Sequence, residues 1–206
     1  SIANKLNIPL LYISTAGIFD GKKNLYDESD MPNPLGVYAK SKYIAEKYVC
    51  ENSEKFLVCR AGWMMGSGPK KDKKFIQKLM KQLKDGKKEL FVVNDKDGTP
   101  TYTQDFALTV KELIEKEYWG LYNCVCGGET SRLEVAQELV KLVASKDEIK
   151  ITSVESDYFK DIYYAKRPAS ERLLNKKLDH CGVNNMRDWR KALKEYLKDY
   201  YQHYLK

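Results

Sequence analysis

Short apolar runs alternate with longer stretches in which apolar positions recur every three or four residues. Pro9-Leu10-Leu11-Tyr12-Ile13-Ser14 and Phe56-Leu57-Val58-Cys59-Arg60 are nearly continuous apolar runs, the pattern of strands buried in a parallel sheet. Leu90 to Val93, Leu121 to Cys126 and Ile149 to Val154 read as further strands. Ile2 to Leu6 reads as the end of a helix, and helices are expected over 35–52, 73–85, 104–116, 131–144 and 187–205. The second of these carries Phe75, Ile76, Leu79, Met80 and Leu83 at helical spacing and stops at Gly86. Ser131 and Glu134 form a capping box at the start of the fourth. Gly, Asp, Asn and Pro crowd the loop from Ala16 to Pro34, and Gly62 to Gly68 and Gly98 to Thr101 read as turns. Strands alternating with helices predict an α/β chain with a parallel sheet, and the less regular second half predicts a smaller α+β lobe.

Composition narrows this picture. With 206 residues, 43% of them hydrophobic and 32% charged, the chain can bury a sizeable core. Neither a membrane-length apolar run nor a signal peptide is visible. The net charge of +7 comes mostly from lysines clustered at Lys70-Lys71-Asp72-Lys73-Lys74 and from Lys81 to Lys88. No basic stripe interleaved with aromatics accompanies them, so a solvated surface is expected rather than a nucleic-acid interface. The same charge favours a small phosphorylated substrate. Five cysteines without a C-x-x-C pair, and only two histidines, argue against zinc and fit a reducing cytoplasm. Cys124 and Cys126 alternate along their strand and are expected as buried thiols on one face.

Candidate chemistry lies at the first strand and the helix after it. Tyr38 and Lys42, four residues apart, share a helix face. A phenol held beside an ammonium gives up its proton more readily than a free one. Ser14 and Thr15 end the preceding strand and could bring a hydroxyl to the same substrate oxygen. These are the parts of a proton-transfer site for carbonyl reduction or alcohol oxidation. Spacing alone does not single the pair out, because Tyr43 and Lys47 repeat it five residues later, roughly 140° around the helix. The bland reading of either pair is a solvated helix face.

Several segments, in order, resemble the extended short-chain dehydrogenase/reductases, in particular their dTDP-4-dehydrorhamnose reductase branch. Ile13 to Gly21 resembles that branch's I-S-T-D-Y-V-F-D-G, and Pro34 to Glu46 resembles P-x-x-x-Y-G-x-S-K-x-x-G-E. Arg60-Ala61-Gly62-Trp63 resembles R-x-x-W, and Asp97 to Thr101 with Asp105 resembles D-x-G-x-P-T-x-x-x-D. Arg167-Pro168 and Asp188-Trp189 match the tail. The resemblance implies a Rossmann-like fold and an NADP- or NAD-dependent oxidoreductase of 4-keto nucleotide sugars. It implies Tyr38 as proton donor or acceptor, Lys42 as the group that eases that transfer and binds the nicotinamide ribose, and Thr15 as a hydrogen-bonding partner of the reacting oxygen. Ser14 and Arg60 would join the cofactor side. Ala16, Gly17, Trp63 and Arg167 would line the sugar side.

Departures from the pattern qualify this. Ala16 and Gly17 replace the branch's Asp and Tyr, Ala39 replaces its Gly, and Leu174 stands where its tail often has Asp. No G-x-G-x-x-G follows a strand; Gly62 to Gly68 has the wrong spacing for that fingerprint and for a P-loop. The chain opens at Ser1, in the helix before the family's fifth strand, so the glycine-rich first Rossmann half is expected upstream or on a partner subunit. Residues 1–65 and parts of 86–125 would then be the remaining Rossmann half, with 66–85 and 126–206 forming the substrate lobe. An open apolar sheet edge follows from that division, and a homodimer is one way to cover it. Two other functions stay open: a nucleotide-sugar epimerase, and a non-catalytic binding module or regulatory subunit of the same fold.

Overall fold

The computed structural model describes residues 2–144, 149–162 and 165–205. Helix α1 (Ile2–Leu6) leads into strand β1 (Leu10–Thr15), a short 3-10 turn (Ala16–Ile18) and a long loop. Helix α2 (Val37–Asn52) returns the chain to β2 (Phe56–Ala61), which runs almost directly into β3 (Trp63–Met65). Helices α3 (Gly68–Lys71) and α4 (Phe75–Lys84) precede β4 (Glu89–Val93), β5 (Asp97–Gly98) and β6 (Pro100–Tyr102). Helix α5 (Thr103–Glu115), β7 (Gly120–Asn123), β8 (Thr130–Ser131) and α6 (Arg132–Val143) follow. The last elements are β9 (Lys150–Val154), β10 (Ser170–Glu171), α7 (Lys176–Cys181) and α8 (Trp189–Tyr201).

The expected α/β architecture is present. Strands β1, β2 and β7 form a parallel sheet in that order, with Leu10 opposite Phe56 and Leu57 opposite Gly120. Among the described residues β1 is the sheet's edge, and Leu11 and Ile13 are about two-fifths exposed on it, at 41% and 42%. Of residues 86–125, expected to contribute in part to this sheet, β7 lies in it, while β4 pairs with β9 in parallel. The two segments expected as turns are partly strand: β3 pairs with β6 in parallel, and β5 sits between β10 and β8. Residues that switch partners over two or three positions carry too little periodicity to be read as strands. Helices α3 and α7 also went unanticipated, both being six residues or shorter.

One large core joins the sheet to the second half. Leu57, Leu90, Leu113, Leu139 and Leu193 are fully buried in it, each contributing about 1.5–3 kcal/mol of transfer free energy. Cys124 and Cys126 lie in this core while Val125 lies in a second cluster with Ala16, Ile18, Phe19, Tyr26 and Leu173. The alternation across 124–126 thus persists past the end of β7. The Ser131–Glu134 capping box is present in full. No helix among the described residues is long and apolar enough to cross a membrane.

Candidate active site

Helix α2 places the first group of candidate residues. Gly36 caps it in extended conformation without a side-chain bond, so Tyr38 falls in the first turn. Its inner face buries Ala39, Glu46 and Val49. The buried Glu46 carboxylate receives Arg60 of β2 at 2.6 Å, both side chains being 3% exposed. This ion pair stands where an apolar contact would be expected, while Val37, Ile44 and Tyr48 of the same helix are exposed, so the helix's hydrophobic pattern is weak. Arg60 also lies over the Phe19 ring at 5.2 Å. The residue expected on the cofactor side is therefore engaged inside the protein.

On the same helix Lys42 reaches the end of β1. Its Nζ donates to the Ile13 carbonyl at 2.5 Å and sits 4.2 Å from the Tyr12 ring centroid. The Tyr12 hydroxyl returns a bond to the Lys42 carbonyl at 3.1 Å. Tyr38, one turn earlier, is 67% exposed, and the Ser41 hydroxyl donates to its carbonyl at 2.8 Å. Thr15 ends β1 and caps the 3-10 turn: its Oγ1 accepts the Gly17 N–H at 3.2 Å, leaving its own O–H to donate elsewhere. The Ser14 hydroxyl is buried and has no hydrogen-bond partner among the described residues. The carboxyl end of β1 thus carries two hydroxyls with unused bonding capacity and receives a fixed ammonium from α2, one helical turn after the exposed Tyr38.

Trp63 forms the second group. Its Nε1 donates to the Glu171 carboxylate at 2.6 Å. The Arg132 guanidinium stacks over its ring at 3.7 Å and over Phe75 at 4.6 Å. Glu171 also stands beside Gly17, where a Cβ would lie 3.0 Å from its Oε1. Gly17, Glu171 and Trp63 therefore form a continuous wall leading away from Thr15. Ala16 is buried in the small cluster with Ile18 and Phe19, while Arg167 is exposed. Phe75, Arg132 and Glu171 were not singled out from the sequence. Isolated aromatic and charged residues on separate elements carry no signal until the fold brings them together.

Most of the family-like motif residues do positional work. A Cβ on Gly98 would lie 2.2 Å from the Trp63 indole, so only glycine lets the ring lie there. Pro100 pairs with Trp63 across β3 and β6, and the Thr101 Oγ1 accepts the Gly62 N–H at 2.9 Å. Asp105 holds Arg187 through contacts as short as 2.7 Å, and Arg187 in turn holds Glu195. Gly21, at φ +78°, packs so closely on Pro168 to Ser170 that any side chain would collide with their backbone. Asp188 caps α8 by accepting the Arg190 N–H at 2.9 Å, and Trp189 is buried in the main core.

Known proteins share this fold. The family described as RmlD substrate binding domain matches residues 1–202. The spore coat polysaccharide biosynthesis protein SpsK of Bacillus subtilis is 31% identical over 198 residues, covering 96% of this chain and 66% of that protein. A dTDP-4-dehydrorhamnose reductase structure from Clostridium acetobutylicum superposes with a TM-score of 0.86 at 32% identity, covering 95% of this chain and 67% of that one. A reductase of the same name from Bacillus anthracis, in complex with NADP, gives 0.86 at 27% identity, with 96% and 68% covered. The chain spans about two thirds of the length of these relatives. On the strength of the whole-chain match and the shared fold, it belongs to the RmlD substrate binding domain family.

Proposed function

We propose that this chain is the proton-handling and sugar-binding portion of an NADP(H)-dependent reductase acting on a 4-keto nucleotide sugar. The observation that carries the reading is the pinned ammonium: Lys42 is fixed by the Ile13 carbonyl at the end of β1, one helical turn from an exposed Tyr38 and close in sequence to Thr15. The NADP complex of the Bacillus anthracis relative supports the cofactor assignment. The residues present fit one end of such a cofactor. The orphaned Ser14 hydroxyl, Lys42 and Tyr38 offer hydrogen bonds that a ribose could use. The glycine-rich pyrophosphate cradle is not in this sequence.

A bound reduced nicotinamide supplies the hydride for the carbonyl carbon. In this reading the chain's own residues manage the oxygen. Thr15 donates to it through its free O–H, and Tyr38 delivers a proton as negative charge builds there. Lys42 stabilises the phenolate left behind by its fixed positive charge. Trp63 orients the sugar ring. Arg60 is held by Glu46 through its Nε and Nη2, and its buried Nη1 has no partner among the described residues. NADPH consumption by the complete polypeptide in the presence of dTDP-4-dehydrorhamnose is the test. A protein that binds neither nucleotide nor NADPH is not this reductase. The alternative, a non-catalytic binding module, draws on Ala16 and Gly17, which place no side-chain donor or acceptor next to Thr15. It predicts nucleotide-sugar binding without NADPH consumption.

A further inference from the structure

Glu171 is an acid beside Thr15 that the proton-handling scheme leaves unused. Strand β10 sets it opposite Gly98 of β5, the glycine on which the Trp63 ring lies. One carboxylate oxygen, Oε2, accepts the Trp63 indole N–H at 2.6 Å. The other, Oε1, has no hydrogen-bond or ion-pair partner among the described residues. It faces Gly17: a Cβ there would lie 3.0 Å from Oε1 and 3.5 Å from the Thr15 Oγ1. The two oxygens therefore border one point, and the missing side chain of Gly17 leaves that point open to a ligand.

An ionised carboxylate offers only acceptor sites. The indole bond fixes its direction, and Arg132, stacked on Trp63 at 3.7 Å, is close enough to interact with its charge. The group that fits at Oε1 is therefore a hydrogen-bond donor. Thr15 is the residue through whose O–H the reading above holds the reacting oxygen, so the donor belongs to a neighbouring part of the same ligand. It is not the reacting oxygen itself, because a carboxylate would oppose the negative charge that builds there. A hydroxyl on the adjacent ring carbon meets both requirements, reaching Oε1 while its neighbour rests on Thr15. Gly17 stands where the resembling branch has Tyr, and a side chain of that size could not share the space with Glu171 as it lies. The acceptor that Ala16 and Gly17 lack comes from β10 instead.

We infer that Glu171 is a specificity-determining residue of the sugar site and accepts a hydrogen bond from the hydroxyl on the carbon next to the reacting carbonyl. In a 4-keto sugar the ring neighbour that bears a hydroxyl is carbon 3, so the site selects sugars whose 3-hydroxyl is free. The inference rests on the sugar-nucleotide reading, which puts the carbonyl at Thr15.

The experiment compares dTDP-4-dehydrorhamnose with its 3-deoxy analogue on the complete polypeptide, as wild type, Glu171→Gln and Glu171→Ala. Calorimetry gives Kd and NADPH consumption gives kcat/KM for both compounds, and the Tm of each variant is taken alongside. The wild type is expected to favour the parent compound by about tenfold to a hundredfold, the worth of a hydrogen bond to a charged acceptor. That ratio should fall towards one in Glu171→Ala, and part of the way in Glu171→Gln, which keeps an acceptor oxygen without the charge. A role limited to seating the Trp63 indole would lower both compounds alike, so an unchanged ratio in the variants overturns the inference. A wild-type ratio near one overturns it as well. If Glu171→Ala does not fold, the ratio in Glu171→Gln decides. Glu171-dependent entry of solvent deuterium at carbon 3 or carbon 5 of the unreduced sugar would make the residue a base and overturns the acceptor role. A wild type that binds both compounds without consuming NADPH removes the reductase and leaves Glu171 to the Kd ratio, read by the same criteria. A wild type that binds neither compound overturns both.

Discussion

Two tyrosine–lysine pairs sit on helix α2 with identical spacing, and the fold treats them in opposite ways. Lys42 is drawn inward, onto the Ile13 carbonyl and the Tyr12 ring, while Tyr38 stays 67% exposed. Lys47 points out, 62% exposed, to an i,i+4 partner at Glu51. Tyr43 packs against the small cluster around Phe19 and Tyr26. One pair fixes its cation and leaves its phenol free, as proton delivery to a ligand requires. The other leaves its cation in an exposed pair with Glu51 and tucks its phenol against the core, as a helix needs for stability. Spacing places residues on a helix; the neighbouring strand decides which become chemistry.

Substitution at the phenols should break or confirm this contrast most sharply. In the complete polypeptide, Tyr38→Phe is expected to lower turnover by on the order of 10²–10⁴, the usual worth of a positioned proton donor. Tyr43→Phe should leave turnover near wild type. Steady-state NADPH consumption by the two variants decides the matter, and equal losses would dissolve the assignment. The lysines extend the comparison. Lys42→Met should lower turnover in the same way, whereas Lys47→Met should shift only stability, by about 0.3–0.5 kcal/mol, as for an exposed helix pair. A loss of activity in Lys47→Met would mean that the exposed half of the helix has a role not visible in its contacts.

How much of this was legible beforehand follows the same division. The β1 strand, α2 and the capping box at Ser131 could be read from local pattern, because each is specified by residues within a few positions of one another. The motif residues Gly98, Thr101 and Asp105 could be recognised, but not what they do. Gly98 is glycine because Trp63 lies against it, and Asp105 is acidic because Arg187 approaches from the far end of the chain. The pairing of Arg60 with Glu46 was not legible either, since a strand arginine and a helix glutamate meet only once the helix has packed. Arg132 carried no local signal at all. Its stacked position depends on Trp63 and Phe75 from two other elements.

The Glu46–Arg60 pair tests whether α2 owes its seat to this one buried contact. Arg60→Met leaves the Glu46 carboxylate buried and unpaired, which costs about 3–5 kcal/mol in comparable cases. Urea denaturation should show that loss. Changing both residues to apolar ones of similar volume should recover much of it, because the lone charge is then gone. If both single and double variants unfold alike, the pair acts through its shape, and the orientation of Tyr38 depends on packing alone.

The smallest effect concerns the loop that separates Thr15 from Tyr38. Asp27 organises it, accepting the Ser29 hydroxyl and N–H and pairing with Lys176 of α7 at 2.9 Å. These bonds, the Ser29 hydroxyl first, hold the Asp27 carboxyl well below its ordinary value of 3.8. A group whose folded pKa is depressed stabilises the fold fully above the unfolded value and loses that contribution as pH falls towards the folded one. The Tm of Asp27→Asn should therefore lie below that of the wild type at neutral pH. The gap should close between about pH 5 and pH 2, as the wild-type carboxyl is protonated. High salt should narrow it too, since Lys176 is largely exposed and its share is screened. A gap that stays constant over this range would assign the loop's order to the geometry of its turn. The distance from Thr15 to Tyr38 would then be set without charge, and the contrast between the two pairs would rest on Lys42 alone.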